Sequence, residues 1–181
     1  MKRTLAAVCA AVFLLVAVYL ASPLLGYYRM QSAARGGDQD ALEATIDFPA
    51  VRENLKSQLN AGFAAHMQSD AKLKDNPFAG LGMMLATAVI GKLVDSYLTP
   101  EAISMMVLKA KAPDPSKPAG ALERARETKI DTHYSYINLD RFRVTAVDPK
   151  NSDKPLSFVM ERRGFMTWKL IRIELPARLF R

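Results

Sequence analysis

The sequence predicts an α+β fold: an N-terminal transmembrane helix, then several helices packed on a three- or four-stranded antiparallel β-sheet. Three observations predict it. Leu5 to Tyr28 contains no charged residue. Between Asp38 and Val107, apolar residues recur at helical spacing. From Thr132 onward the period drops to two, and the composition shifts to Tyr, Ile, Val, Phe and Thr.

The first element follows from length. Met1-Lys2-Arg3 is a short basic start, and the uncharged run behind it is long enough to cross a bilayer core, which takes about 20 helical residues. A secretory h-region is usually shorter, about 7–15 residues. Cutting after Ala21 would also put bulky Tyr19 where a cleavage site wants a small side chain. Residues 1–28 therefore read as an uncleaved signal-anchor and 29–181 as a soluble extracytoplasmic domain. Orientation rests mainly on the basic start, because Arg29 and Arg35 nearly balance Lys2 and Arg3. The expected layout is a single-pass anchor with the C-terminal domain outside the cytoplasm. Tyr19, Tyr27 and Tyr28 suit an interfacial belt.

Helix signals come next. Gly36-Gly37-Asp38 stops the first helix, and Asp38 or Asp40 can cap a short one bearing Leu42 and Ile46. Asp47-Phe48-Pro49 is a second start, since proline is tolerated in a first turn. Val51, Leu55, Leu59, Phe63 and Met67 then follow an i, i+4 step. Asn76 to Gly91 is uncharged but short and glycine-bearing, so it reads as a buried helix rather than a second span. Thr99-Pro100-Glu101 combines a cap, a first-turn proline and an acid at the positive end of the helix dipole. Pro113, Pro115 and Pro118 mark a Pro/Lys-rich loop over 109–120.

Strand signals close the chain. Phe142, Val144 and Ala146 alternate with Arg141, Arg143 and Thr145. Asp148 to Lys154 reads as a turn, Leu156-x-Phe158-x-Met160 as a strand, Arg163-Gly164 as a turn, and Phe165 to Leu175 as the last strand. One sheet face should lie under the helices.

Little in this pattern carries chemistry. The net charge is +7, of which Lys2 and Arg3 supply two. That is milder than the dense basic stripe of a nucleic-acid binder. The single cysteine, Cys9, excludes an intramolecular disulfide and a Cys-based metal site. No Gly-x-Ser-x-Gly elbow and no His-x-x-x-His pair occurs. Two constellations stand out. Asp131 and His133 share one strand face and form a candidate polar pair for acid/base work, though the same arrangement is ordinary on an edge strand. Phe78, Met83, Met84, Met105 and Met106 form a candidate apolar groove, set against plain core filling by flexible methionines. Arg141, Arg143, Arg162 and Arg163 could make a basic patch, or simply solvent cover. His66 reads as a partly buried helix-end residue.

Several signatures in order carry a resemblance. They are Ser22-Pro23, Tyr28-Arg29, Gly37-Asp38, Asp47-Phe48-Pro49 with Val51-Arg52 and Leu55-Lys56, and Leu93-Val94-Asp95 leading to Thr99-Pro100-Glu101. Together they resemble the domain of unknown function 2939 family of bacterial envelope proteins. The resemblance implies a bacterial membrane-associated protein and brings no activity, cofactor or catalytic residue. Gly164-x-x-x-Trp168-Lys169-Leu170-Ile171 also looks like the last strand of cone-shaped domains similar to nuclear transport factor two.

The resulting expectation is a non-catalytic binding module anchored in the inner membrane, without cofactor. Its partner would be another envelope protein or lipid, not nucleic acid. The alternatives are a small-pocket acid/base enzyme and an apolar ligand carrier. A cavity lined by shifted titratable groups would favour the enzyme, and an exposed apolar patch would favour partner binding.

Overall fold

The first helix, α1, runs from Lys2 to Gly36 without a break. The computed structural model describes residues 2–69, 78–111, 130–149, 152 and 154–176. α1 passes straight through residue 28, where the sequence suggests a boundary. Its two ends live in different surroundings. Leu5 to Val18 project with their apolar side chains exposed, whereas Ser22, Pro23, Gly26, Tyr27, Met30 and Ala33 are buried against the rest of the chain.

The junction is built around a proline inside the helix. Pro23 has no N–H, so the carbonyl of Tyr19, four residues back, loses its helical partner. The Ser22 hydroxyl donates to that carbonyl at 2.7 Å instead. Trp168 Nε1 donates to the same Ser22 oxygen at 2.9 Å and Arg162 Nη1 at 3.3 Å. One donor and two lone pairs are all a serine hydroxyl has, and here all are used. Four residues on, Gly26 gives Trp168 room: a Cβ on Gly26 would stand 2.7 Å from the Trp168 Cβ.

α1 ends where expected. Gly37 takes φ +70°, a left-handed conformation that favours glycine, and its N–H bonds to the Ala33 carbonyl. Asp38 caps α2 (Gln39–Thr45) through Ala41 N, and Asp47 accepts from Ala50 N in the first turn of α3 (Phe48–Ser69). α4 spans Ala79–Tyr97, and α5 spans Pro100–Lys111 with Thr99 accepting from Ala102 N. α5 thus takes in the first residues of the expected 109–120 loop; the rest of that loop lies outside the described residues.

The sheet is an antiparallel meander in the order β1 (Asp131–Asn138), β2 (Arg141–Val147), β3 (Leu156–Arg162), β4 (Trp168–Glu174). β4 starts later than the sequence suggests. Phe165 belongs to the preceding turn, where Arg163 N bonds to the Thr167 carbonyl. The inner face presents Phe142, Val144, Met160, Trp168 and Leu170 to Tyr27, Met30, Leu42, Phe48 and Val51 of the helices, forming the core. α3 also covers the β4 edge. Asp47 N bonds to the Leu170 carbonyl, Asn54 reaches the Ile171 carbonyl, and Gln58 takes the Ile173 carbonyl and Leu175 N. A covered edge cannot recruit a foreign strand.

The expectation of a buried helix over 76–91 is half met. Of that stretch, residues 79–91 are helical, but among α4 residues only Val94 is buried. Among the described residues, the elements packed against this helix are α3 and, more slightly, α5.

Trp168→Ala should cost about 3–5 kcal/mol, as for a fully buried aromatic. Ser22→Ala should cost about 1–3 kcal/mol by stranding the Trp168 N–H and the Tyr19 carbonyl. Thermal unfolding of the full chain in detergent measures both, and a change within noise for either would contradict the packing described.

Candidate functional site

β1 is an edge strand, and both Asp131 and His133 are exposed on it, opposite Val147 and Thr145 of β2. They share a face, as alternation requires, but none of the cavities described below is lined by either residue. His66 is exposed near the end of α3.

The four arginines separate. Arg141 pairs with Glu161 at 3.1 Å, Arg143 with Glu174 at 3.2 Å, and Arg163 with Asp47 at 2.8 Å and Glu161 at 3.1 Å. Each of these three arginines thus has a carboxylate beside it, giving a chequered patch rather than a basic one.

Arg162 goes the other way. Its side chain is 7% exposed and lies between two rings, 3.8 Å from the Tyr19 centroid and 4.3 Å from the Trp168 ring. Its donors reach Ser22 Oγ, the Phe165 carbonyl at 2.7 Å and the Leu139 carbonyl at 3.2 Å, with Asp140 at 3.6 Å. A buried guanidinium is tolerated when its donors and charge are met this fully. Arg162 therefore ties together α1 and both turns, β1–β2 and β3–β4. Sequence reasoning placed it in the solvent patch. The parity of Phe158, Met160 and Arg162 on one strand was the signal that it points inward.

Around this residue runs an aromatic chain that composition alone did not show. Tyr27 meets Tyr28 and Tyr134, Tyr134 stacks near Phe142, and Phe142 meets Tyr136 and Trp168, with centroids 5.1–6.4 Å apart. The Tyr136 hydroxyl donates to the Leu20 carbonyl at 2.6 Å. Burial raises the phenol pKa of Tyr134, helped by its hydrogen bond to Tyr28. Burial likewise raises that of Tyr136, opposed by the Arg162 charge.

Four of the five groove candidates are exposed: Phe78 and Met84 at 72% each, and Met105 and Met106 on α5, while Met83 is half-buried. α4 presents two apolar faces. Ala79, Met83, Ala86, Ile90 and Val94 form a stripe at helical spacing that is half-buried or buried, and α3, whose Leu55, Leu59, Phe63 and Met67 are likewise half-buried, packs against this helix. Lys56 pins the pair through Asp95 at 2.7 Å. Leu81, Leu85, Val89, Leu93 and Tyr97 make a second stripe that stays exposed. This stripe is the most conspicuous candidate binding surface on the domain.

The cavities are open depressions. One of about 310 Å³ is lined by Asn54, Ser57, Gln58, Arg172 and Glu174, and one of about 450 Å³ lies in the crook of α1 and α2. A third lies along the free end of α1, at Lys2, Thr4, Leu5 and Val8. Among the described residues no group of three or more His, Cys, Asp or Glu side chains could hold a metal.

Comparison with known proteins gives one finding. The family model described as "Protein of unknown function (DUF2939)" matches residues 12–106, just over half of the 181 residues. The matched region takes in α1 from residue 12 onward with the Ser22–Pro23 junction, α2 to α4, and the first part of α5. No curated protein and no solved structure matches, so the likeness to cone-shaped domains rests on the last-strand motif alone.

Two outcomes follow. Leu85→Ser should change stability by no more than about 0.5 kcal/mol, as for an exposed site, whereas Val94→Ala should cost about 1 kcal/mol or more. Equal losses in chemical denaturation would mean that the Leu85 face is covered. Tyr134 and Tyr136 hold protons in the fold that the unfolded chain releases sooner. Stability should therefore fall as pH rises past the ordinary phenol value of 10. The fall should be shallower in Tyr134→Phe, measured as melting midpoint against pH.

Proposed function

Because the chain belongs to the DUF2939 family of proteins of unknown function, no activity comes with its membership, and we propose that it is a non-catalytic binding module anchored in the bacterial inner membrane. The observation that carries this reading is the exposed apolar stripe of α4, which the domain's own core does not use. Its partner is another envelope component with a matching apolar surface, most simply a protein.

Anchorage has separate support. The free segment of α1 has a mean hydropathy of 2.6 over its most apolar window, none of which is buried. A long apolar helix near the N-terminus suits a single-pass anchor or a signal sequence. Retention is favoured by what cleavage after Ala21 would remove. Tyr19 stacks on Arg162, and the Leu20 carbonyl accepts from Tyr136, so part of the domain's packing lies upstream of that bond. Lys2 and Arg3 on the free end support an inward amino terminus and a periplasmic domain. α4 also passes a length-and-composition test for spanning, with hydropathy 1.3. Its Asp95–Lys56 pair and its packing on the charged helix α3 argue against insertion.

The acid/base alternative loses its motive because Asp131 and His133 are exposed and line none of the described cavities. The ligand-carrier alternative has less support, because Phe78, Met84, Met105 and Met106 are exposed.

A photo-crosslinking residue at Leu85 of the full chain in intact cells tests the reading, with one at Ser135 on the outer sheet face as comparison. A discrete adduct from Leu85 alone, weakened by Leu81→Ser and Val89→Ser and found in the membrane fraction after alkaline washing, is expected. Equal labelling from both positions would overturn the binding face. A soluble chain beginning near Ser22 would overturn the anchor.

A further inference from the structure

The two hairpin turns beside α1 differ from the turn at the opposite end of the sheet. The β2–β3 connection, Asp148-Pro149-Lys150-Asn151-Ser152-Asp153-Lys154, has no large apolar residue. The β1–β2 turn carries Leu139, 64% exposed, and the β3–β4 turn carries Phe165, also 64% exposed, and Met166, 38% exposed. The exposed apolar residues of the hairpin turns thus gather at one end of the sheet, while Ile130, before β1, is exposed at the other.

That end is fixed at a known height on α1. Phe165 packs its ring 5.5 Å from Tyr19, and the Leu20 carbonyl accepts from Tyr136. Arg162 holds the carbonyls of Leu139 and Phe165 from its seat beside Tyr19 and Ser22. Both turns therefore sit level with residues 19–20.

The open side of α1 stays apolar well past that level. Leu20 and Leu25 are exposed, and the first exposed polar residues beyond them are Tyr28 and Arg29. A span from Leu5 to Leu25 measures roughly 31 Å at 1.5 Å per residue, close to the ~30 Å hydrocarbon thickness. Ending it at Ala21, where the domain begins, gives roughly 25 Å and a mismatch that costs free energy for each ångström. Charge does not forbid the deeper setting. At this end Asp140 lies 3.6 Å from Arg162, Arg141 pairs with Glu161, and Arg163 pairs with Glu161 and Asp47.

We infer that Leu139, Phe165 and Met166 dip into the headgroup–acyl boundary of the bilayer that α1 crosses, so that the domain rests on the lipid surface by two apolar turns. The inference rests on the anchor reading above. The occupant is lipid because the turns lie below the level at which the helix itself leaves hydrocarbon. Shallow insertion of this kind buries side chains about 5–10 Å deep.

The test uses the full chain in Cys9→Ala background, reconstituted in phosphatidylcholine/phosphatidylglycerol vesicles. A single cysteine at position 139, 166, 39 or 12 carries an environment-sensitive fluorophore. Labels replacing Leu139 and Met166 should emit to the blue, lose emission to lipids carrying a nitroxide near the headgroup, and show several-fold less quenching by iodide than a label replacing Gln39. The label replacing Val12 should be quenched by nitroxides deep in the acyl chains. If the turn labels behave like Gln39 while Val12 is deeply quenched, the anchor stands and the resting surface is wrong. If the Val12 label is reached by iodide and not by lipid nitroxides, the anchor reading fails and this inference falls with it. The two turns report independently, so a label that disturbs one leaves the other to decide.

Discussion

One hydroxyl group holds the seam between the first helix and the sheet. Ser22 lies within the first helix, beside a proline that has removed a backbone donor. Its oxygen returns a proton to the orphaned Tyr19 carbonyl and accepts from a tryptophan and an arginine on two adjacent strands. A buried carbonyl without a partner would cost the fold about 1–3 kcal/mol, and so would a stranded indole N–H. A single side chain meets both needs. Because Ser22, Pro23 and Gly26 lie on one side of the helix, the same side that admits the Trp168 ring forces the helix close to the sheet.

The mechanical consequence is that nothing flexible separates the exposed apolar segment from the domain. The helix that leaves the core at Ser22 is the helix that carries Leu5 to Val18. Any surface that holds the free segment also sets the height and tilt of the sheet and of α4. A domain built this way presents the exposed stripe of α4 at a fixed distance from that surface, whereas a flexible linker would let the distance vary.

Much of the architecture was legible because local chemistry dictates it. Asp38, Asp47 and Thr99 each cap the helix start that their side chains suggest. Gly37 takes the left-handed turn, and the alternation about Phe142 and Met160 marks the inner sheet face. What escaped the sequence depends on partners far away in the chain. Arg162 and Arg163 are neighbours of one residue type, yet one is clamped between rings and the other faces water. α4 is apolar on two faces, and periodicity cannot say which of them finds a neighbour. Val94 does; Leu85 does not. The methionines show the same limit: Met83 and Met84 are adjacent, and on a helix adjacent residues point about 100° apart, so one is half-buried and the other exposed.

Residues 19–27 belong to the folded domain as well as to the helix that carries the exposed apolar segment. Thermal unfolding of two shortened chains, followed by the fluorescence of the sole tryptophan Trp168, tests it most directly. A chain beginning at Tyr19 should unfold in a single cooperative transition with its indole shielded. A chain beginning at Arg29, deprived of Ser22, Pro23 and Gly26, should show an exposed indole and no cooperative transition. Cooperative unfolding of both at the same midpoint would contradict the account.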